Sequence, residues 1–395
     1  FEDCNMGKNE RRAYLKAIRC RYRRARKRDE VTILDEFCCV CGYNRKYAIR
    51  LLNRHPKTRK KRRSGPKPIY ASAELLLALK RIWFASDQMC SKKLKAAIPL
   101  WLPFYTTRYK ALTPETQDKL LSISPATIDR VLKPVRVAYG RKGLSGTRPG
   151  TLLKNQIPIR TDFWDVTEPG FMEADTVAHC GNSLAGDFVW SLTMTDILTT
   201  WTESRATWSK GAEGVLAQIK NVEAGLPFPL QGFDCDNGSE FLNWHLLRYF
   251  TDHPSLTSFT RSRAYRKNDN AHVEQKNWTH VRQLFGYDRI EDPDLVALMN
   301  DLYANEWSLY QNHFIPSMKL LEKKRINSKY HKKYDSPRTP YDRVMASEHV
   351  SDEEKARLQS VHKVLNPFIL KKNIEKKLRV IFKKVKVTSN VRQRI

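Results

Sequence analysis

Apolar residues recur with helical spacing over the first third of the chain. Val31, Ile33, Leu34 and Phe37 give one face, and Tyr47, Ile49, Leu51 and Leu52 give another, with Gly42 between them. Two short helices joined by a tight turn are expected over residues 31–53, which is helix-turn-helix grammar. Leu75, Leu76, Leu79, Ile82 and Trp83 predict an amphipathic helix over 71–85, and residues 92–105 continue a compact helical module. Ser124 suits a cap and Pro125 a first helical turn, so residues 122–132 form a second helix-turn-helix candidate packed through Ile128, Val131 and Leu132.

Beyond a Gly-, Arg- and Pro-rich stretch at 141–150 the period changes. Residues 171–178, 188–197 and 201–208 read as strands, rich in Val, Thr, Trp and Phe. A helix at 211–224, a buried strand at 230–235, a helix at 239–250, a short strand at 256–260 and a helix at 269–285 follow. The order β-β-β-α-β-α-β-α predicts an α/β layered sheet. Trp278, Val281 and Phe285 read as the residues that seat the last helix on its core. A further apolar helix covers 294–310, and residues 373–387 are open between a helix and a strand pair. The expected organisation is a basic arm and first helix-turn-helix module (1–56), a basic linker (57–69), a second helical module (70–140), a linker (141–159), an α/β core (160–290), a helical extension (291–345) and a basic C-terminal region (346–395).

Charge sharpens this division. The formal net charge is +29. Residues 1–70 carry +15, 71–159 carry +10 and 319–395 carry +14, whereas 160–290 and 291–318 carry −5 each. Basic flanks around an acidic centre suit a nucleic-acid enzyme, with flanks on phosphates and central carboxylates on metal ions. Arg45, Lys46, Arg50 and Arg54 on the second short helix are candidate DNA contacts, as are Lys60, Lys61, Arg62 and Arg63 in the linker. No run approaches the ~18 apolar residues of a membrane helix. The eight cysteines fit a reducing compartment, and Cys38-x-x-Cys41 has no second pair at zinc spacing, so small buried residues at a helix end are expected there. A cytoplasmic, nucleoid-associated protein is expected, with no membrane partner.

Three acids then stand out. Asp175 sits mid-strand in FMEADTVA, Asp236 opens DNGSEF after the fourth strand, and Glu274 lies on a helix in NDNAHVEQKN. An unpaired carboxylate in a strand interior is costly, so such an acid is met by a cation or a metal. Taken singly, Asp236 beside Asn237-Gly238 reads as a turn residue. Glu173 and Asp234 compete, each two residues from a candidate and so on the same strand face. Three converging carboxylates without a His/Cys cluster suit Mg²⁺ or Mn²⁺ rather than zinc, and His179, His272 and His280 read as packing residues.

The order of elements and these three motifs resemble the catalytic core of retroviral-type integrases and bacterial insertion-sequence transposases over roughly residues 160–290, and more weakly YNRKYAIRLL and SPRTPYDRV outside it. The resemblance implies an RNase H-like mixed sheet flanked by helices, preceded by all-α helix-turn-helix modules and followed by a basic C-terminal region. It implies a catalytic triad of Asp175, Asp236 and Glu274 holding two Mg²⁺ or Mn²⁺ ions, with Glu240 and Asn237 supporting the turn. It also implies cleavage of double-stranded DNA at transposon ends and strand transfer into a target, by a homo-oligomer in a synaptic complex. Lys267, Asn270 and Lys276, around the Glu274 helix, are expected near the scissile phosphate. Two other readings stay open: an RNase H-like nuclease that cuts without joining, and a non-catalytic, domesticated DNA-binding protein. A carboxylate-pair glycosidase is disfavoured by the charge of +29.

Overall fold

The computed structural model describes residues 6–54, 69–139, 166–235, 240–241, 243–255, 258–261, 275–326 and 329–392. The chain divides into two units, Phe1–Pro68 and Ile69–Ile395.

The first unit holds α1 (Lys8–Arg24), α2 (Lys27–Cys41) and α3 (Arg45–Asn53). The stretch expected as a basic arm is therefore largely helix. Tyr14, Ile18 and Tyr22 recur every fourth residue and pack with Phe37 and Leu52, while the cations keep the remaining faces wet. Arg19 Nη2 donates to Leu51 O at 2.7 Å and Arg23 Nη2 to Arg54 O at 3.3 Å. Two guanidiniums one turn apart thus serve the C-terminal carbonyls of α3, which lack helical partners and sit at the negative end of its dipole. Gly42 ends α2 in the left-handed region (φ 66°), and Asn44 Oδ1 then accepts from Lys46 N at 3.1 Å to start α3. Ile33, Leu34 and Phe37 are buried as expected, but Val31 is exposed. On α3 the core side is Ala48 and Leu52 instead of Tyr47 and Ile49. Tyr47 leans on Tyr43 (5.2 Å between centroids) and lies beneath Arg50. Cys41 is buried at the end of α2, with Cys38 packed beside it.

The second unit opens with α4 (Ala73–Ala85), α5 (Ser91–Trp101), α6 (Pro114–Ser122) and α7 (Pro125–Tyr139). Ser124 Oγ accepts from Thr127 N at 3.2 Å at the head of α7. Next come β1 (Phe171–Ala178), β2 (Val189–Asp196), β3 (Thr202–Trp208), α8 (Ala212–Glu223), β4 (Gly232–Cys235), α9 (Trp244–Thr251) and β5 (Ser258–Arg261). A π-helical turn, Asn277–Arg282, runs into α10 (Gln283–Phe285). α11 (Asp294–Asp301) continues through π-helical Leu302–Trp307 into α12 (Ser308–Phe314). An antiparallel hairpin, β6 (Leu320–Ile326) and β7 (Lys329–Tyr334), falls inside the stretch expected as a helical extension. α13 (Pro340–Met345), α14 (Asp352–Val364) and α15 (Pro367–Arg392) complete the chain, so residues 373–387 are helical.

The five-stranded sheet has the order β3-β2-β1-β4-β5. β1, β2 and β3 are antiparallel neighbours, and β4 and β5 continue parallel to β1. This mixed sheet with helices on it is consistent with an RNase H-like core. Alternation sorts its faces. Met172, Ala174, Leu192, Met194, Phe233 and Cys235 meet Val215 and Ile219 of α8 and Leu246 and Phe250 of α9. The opposite face presents Glu173, Asp175, Ser191, Thr193 and Thr195. A second core joins Leu79, Trp83, Trp101, Phe285, Tyr303, Tyr310, Phe368 and Ile374, so α4, α5 and α15 share it with the helices around the sheet.

β3 is an edge strand, and its outward backbone groups are met by side chains. Asn300 Nδ2 donates to Ala206 O at 2.9 Å, and Ala206 N donates to Asn300 Oδ1 at 2.7 Å. Asn312 makes the same pair with Thr202, both at 3.0 Å. Arg205 Nη1 closes the gap at Ser204 O, 2.8 Å, and pairs with Glu203 at 3.1 Å. Glu203 Oε1 also accepts from Trp201 Nε1 at 3.0 Å and Ser308 Oγ at 2.5 Å. This buried ion pair is met on each side, as a desolvated pair requires. Asn312 is fully buried, so Asn312→Ala strands two backbone groups away from water. The expected loss is about 2–4 kcal/mol, against about 1–2 kcal/mol for the half-buried Asn300→Ala, read by urea unfolding of the full chain.

Candidate functional site

Asp175 lies in the middle of β1, where its register partner on β2 is Thr193 and that residue's partner on β3 is Ser204. The row is polar across three strands, and the Thr193 and Ser204 hydroxyls are buried without a partner among the described residues. On its other side β1 pairs with β4. The ladder runs from Phe171↔Gly232 to Ala174↔Cys235 and ends there. Gly232 is required by this approach, because a Cβ there would stand 2.3 Å from the Phe171 ring.

The Asp175 carboxylate is half-buried and held at both oxygens. Oδ1 accepts from Thr176 N at 2.7 Å, and Oδ2 accepts from Asn277 Nδ2 at 2.6 Å. The rival acids Glu173 and Asp234 are register partners of each other, only 4% and 6% exposed. Asp234 accepts from Thr260 Oγ1 at 2.6 Å. Burial therefore separates them from Asp175: they are enclosed in the sheet, whereas Asp175 reaches solvent.

Glu240 approaches β1 from the turn after β4. Its Oε1 accepts from Thr176 Oγ1 at 2.9 Å and pairs with Lys210 Nζ at 2.7 Å. Its Oε2 is buried and has no hydrogen-bond partner among the described residues, and the same is true of Asn277 Oδ1. Each belongs to a side chain one link from β1 at residues 175–176. Asp236, Asn237, Glu274, Lys267 and Asn270 lie outside the described residues, as do Lys60, Lys61, Arg62 and Arg63. Among the described residues no group of three or more His, Cys, Asp and Glu side chains is set to hold a metal.

Lys276, expected near DNA, is partly buried, and its Nζ donates to Thr200 O at 3.3 Å. Burial pushes its ammonium down to about 7, and the charges of Lys93 and Arg343 add to the shift. Trp278 is 50% exposed, not a core residue, while Val281 and Phe285 are buried as expected. The π-helical winding accounts for the difference: its wider turn swings Trp278 away from Val281. His179 is fully buried, shares a hydrogen bond with Ser191 Oγ at 2.8 Å, and is kept neutral by burial, its pKa lowered to about 3. His280 is also buried and held well below its ordinary range. Both are packing residues, and His272 lies outside the described residues.

On α3, Arg45, Lys46, Arg50 and Arg54 are exposed. Arg45 pairs with Asp35, Arg50 covers Tyr47, and the Arg54 carbonyl takes the Arg23 bond. The sequence reading missed Asn277 and Lys210. Asn277 left a trace, a polar residue four before Val281 and so on the sheet side of its helix. Lys210 left none, because its partnership with Glu240 and its position 5.0 Å from the Trp190 ring arise only in three dimensions.

No protein-family model matches the chain. The uncharacterized protein y4rM of Sinorhizobium fredii is 40% identical over 330 residues, which cover 82% of this chain and 92% of that protein. The crystal structure of the catalytic core domain of BIV integrase is similar at 14% identity and a TM-score of 0.28, over 46% of this chain and 96% of that one. So loose an overlay fixes neither fold nor activity. Among the described residues no helix is long and apolar enough to cross a membrane.

The folded chain releases the Lys276 proton near pH 7, whereas the unfolded chain keeps it to about pH 10.4. Unfolding therefore takes up a proton across that window, and stability contributed by this group rises with pH there. Lys276→Met is expected to flatten the rise, as read by urea unfolding at about pH 7, 8.5 and 10.

Proposed function

Since the chain belongs to the same family as the uncharacterized protein y4rM, a kinship that names no activity, we propose its function from its own residues: a metal-dependent DNA transposase or integrase that binds element ends, cleaves them and transfers the strands. The observation that carries this is the β1–β4 ladder. It ends at Ala174 and Cys235, the residues that immediately precede Asp175 and Asp236 in the chain. Glu274 stands three residues before Asn277, whose amide holds Asp175 Oδ2. Two acids of the proposed triad thus adjoin the last register pair in sequence, and the third stands three residues from a residue bonded to the first.

The donor chemistry fits hard divalent cations. The carboxylate of Asp175 and the unpartnered Glu240 Oε2 and Asn277 Oδ1 are oxygens, the atoms Mg²⁺ and Mn²⁺ prefer. Asp175, Asp236 and Glu274 are the residues that would hold such ions. When bound, such ions supply an activated attacking oxygen and neutralise charge on the leaving one. The protein's own part is positioning. Thr176 N–H and the Asn277 amide fix both oxygens of Asp175, and Thr176 Oγ1 ties Glu240 to the same strand. In the proposed reaction water attacks a phosphodiester and the P–O3′ bond breaks, leaving a 3′-hydroxyl and a 5′-phosphate; that hydroxyl then attacks a phosphorus of a second strand, forming a new phosphodiester as the target's own P–O3′ bond breaks and its 3′-hydroxyl departs. No protein nucleophile takes part. Duplex DNA of the element ends and target is the proposed partner, gripped by the basic flanks, with several copies of the chain joining the two ends.

The test is an oligonucleotide cleavage-and-joining assay with the element's own flanking DNA and Mg²⁺. Asp175→Asn, Asp236→Asn and Glu274→Gln are each expected to reduce cleavage and joining to background while DNA binding persists. Full strand transfer by any one of them removes that residue from the triad. Cleavage without joining by the unaltered protein identifies a nuclease instead.

A further inference from the structure

The hairpin β6–β7 stands outside the five-stranded sheet, and none of its described residues from Leu320 to Tyr334 is buried. An isolated two-stranded hairpin is marginal in water, so its root matters. Ser317 and Arg338 exchange backbone bonds of 2.8 and 3.1 Å, and Lys319 and Asp335 are joined by Lys319 N to Asp335 Oδ1 at 2.6 Å and Asp335 N to Lys319 O at 3.0 Å. Arg343 pairs with Asp335 at 2.7 Å.

Beyond this root the ribbon is strongly basic. Residues 319–334 contain seven Lys and Arg and a single acid, Glu322. Lys332 and Lys333 follow one another on β7, paired in register with positions 323 and 322 of β6. Lys324, Lys332 and Lys333 are exposed, and Glu322, the ribbon's own acid, pairs with Lys324. A hairpin that is uncovered and basic is matched by a polyanion, and the major groove of duplex DNA is wide enough for a two-stranded ribbon.

We propose that β6–β7 is a DNA-gripping arm, lying in a groove of duplex DNA with Lys324, Lys332 and Lys333 on the phosphates. This rests on the reading of the protein as a DNA enzyme and adds a contact surface to it. The root ties the arm to the candidate site. Lys319 Nζ donates to Leu198 O at 2.9 Å and Lys276 Nζ to Thr200 O at 3.3 Å, two carbonyls of the β2–β3 turn. Lys276 directly precedes Asn277, the residue bonded to Asp175. The arm therefore leaves the body at the turn that also steadies the Asn277 helix.

The experiment measures binding of the full chain to a fluorescent duplex of random sequence and to a single strand of equal length, across a salt series. Three lost phosphate contacts make the slope of log K against log salt shallower by about 2–3. Lys324→Ala/Lys332→Ala/Lys333→Ala is expected to show that change, with duplex affinity about ten-fold or more weaker at about 100 mM salt. The single change of the exposed Lys332→Ala is expected to weaken binding while leaving the melting temperature unchanged. An unchanged slope and affinity overturns the arm, and so does an equal loss on duplex and single strand. If the unaltered protein neither cuts nor joins but the triple variant still loses duplex affinity, the catalytic reading falls and the arm stands. If the unaltered protein cuts and joins and the triple variant binds like it, only the arm falls.

Discussion

The parallel pairing of β1 with β4 is the constraint from which the rest of the second unit follows. A strand that continues antiparallel on one side and parallel on the other needs a crossover, and α8 supplies it, laying Val215 and Ile219 on the Met172–Ala174 side of the sheet. Gly232 lets the Phe171 ring pass between the strands at their start. Once that face is sealed with hydrocarbon, the other face carries Glu173, Asp175 and Asp234 with the hydroxyls of Ser191, Thr193, Thr195 and Ser204. Its helices meet them with amides and hydroxyls: Asn277 on Asp175, Tyr303 on Ser191. Burial on one side and hydrogen bonding on the other let an acid sit in the middle of a strand.

Electrostatics in this unit is organised by distance from the sheet. Buried carboxylates are met locally: Asp196 caps the β2–β3 turn through Thr199 N, Thr199 Oγ1 and Gly170 N, and desolvation still raises its pKa. Buried cations fare less well. Lys93, Lys276 and Lys319 all have ammonium groups pushed down, chiefly by desolvation. Lys276 and Lys319 both spend their donors on backbone carbonyls of that same turn. The turn is thus a junction where strand ends, the Asn277 helix and the hairpin root are tied by lysine-to-carbonyl hydrogen bonds.

The strands of the sheet were legible because alternation in Val, Thr, Trp and Phe survives burial on two faces of different polarity. β1, β2 and β3 fall within a residue or two of their expected limits, and the turn at Gly186-Asp187 separates the first pair. Elements whose apolar residues are few were harder to read. In α1, three aromatic or aliphatic positions every fourth residue sit among eight Arg and Lys, so charge drowned the periodicity. In β6 and β7 almost nothing apolar alternates, and the pairing is visible only in three dimensions. Asp175 was legible as a misplaced acid, and burial now distinguishes it from Glu173, two residues away on the same face. What sequence spacing could not convey was the π-helical winding at 277–282, which turns Trp278 away from Val281 and into solvent.

The two asparagines that close β3 have a consequence for how copies of this chain can meet. Asn300 and Asn312 occupy the peptide groups that an incoming strand would use, and Arg205 takes the carbonyl between them. That margin of the sheet is finished, so extension by β-augmentation is barred there. Protomers brought together on this side have to recognise one another through helix surfaces, whose side chains can be matched or mismatched, and not through main-chain complementarity, which any extended peptide offers.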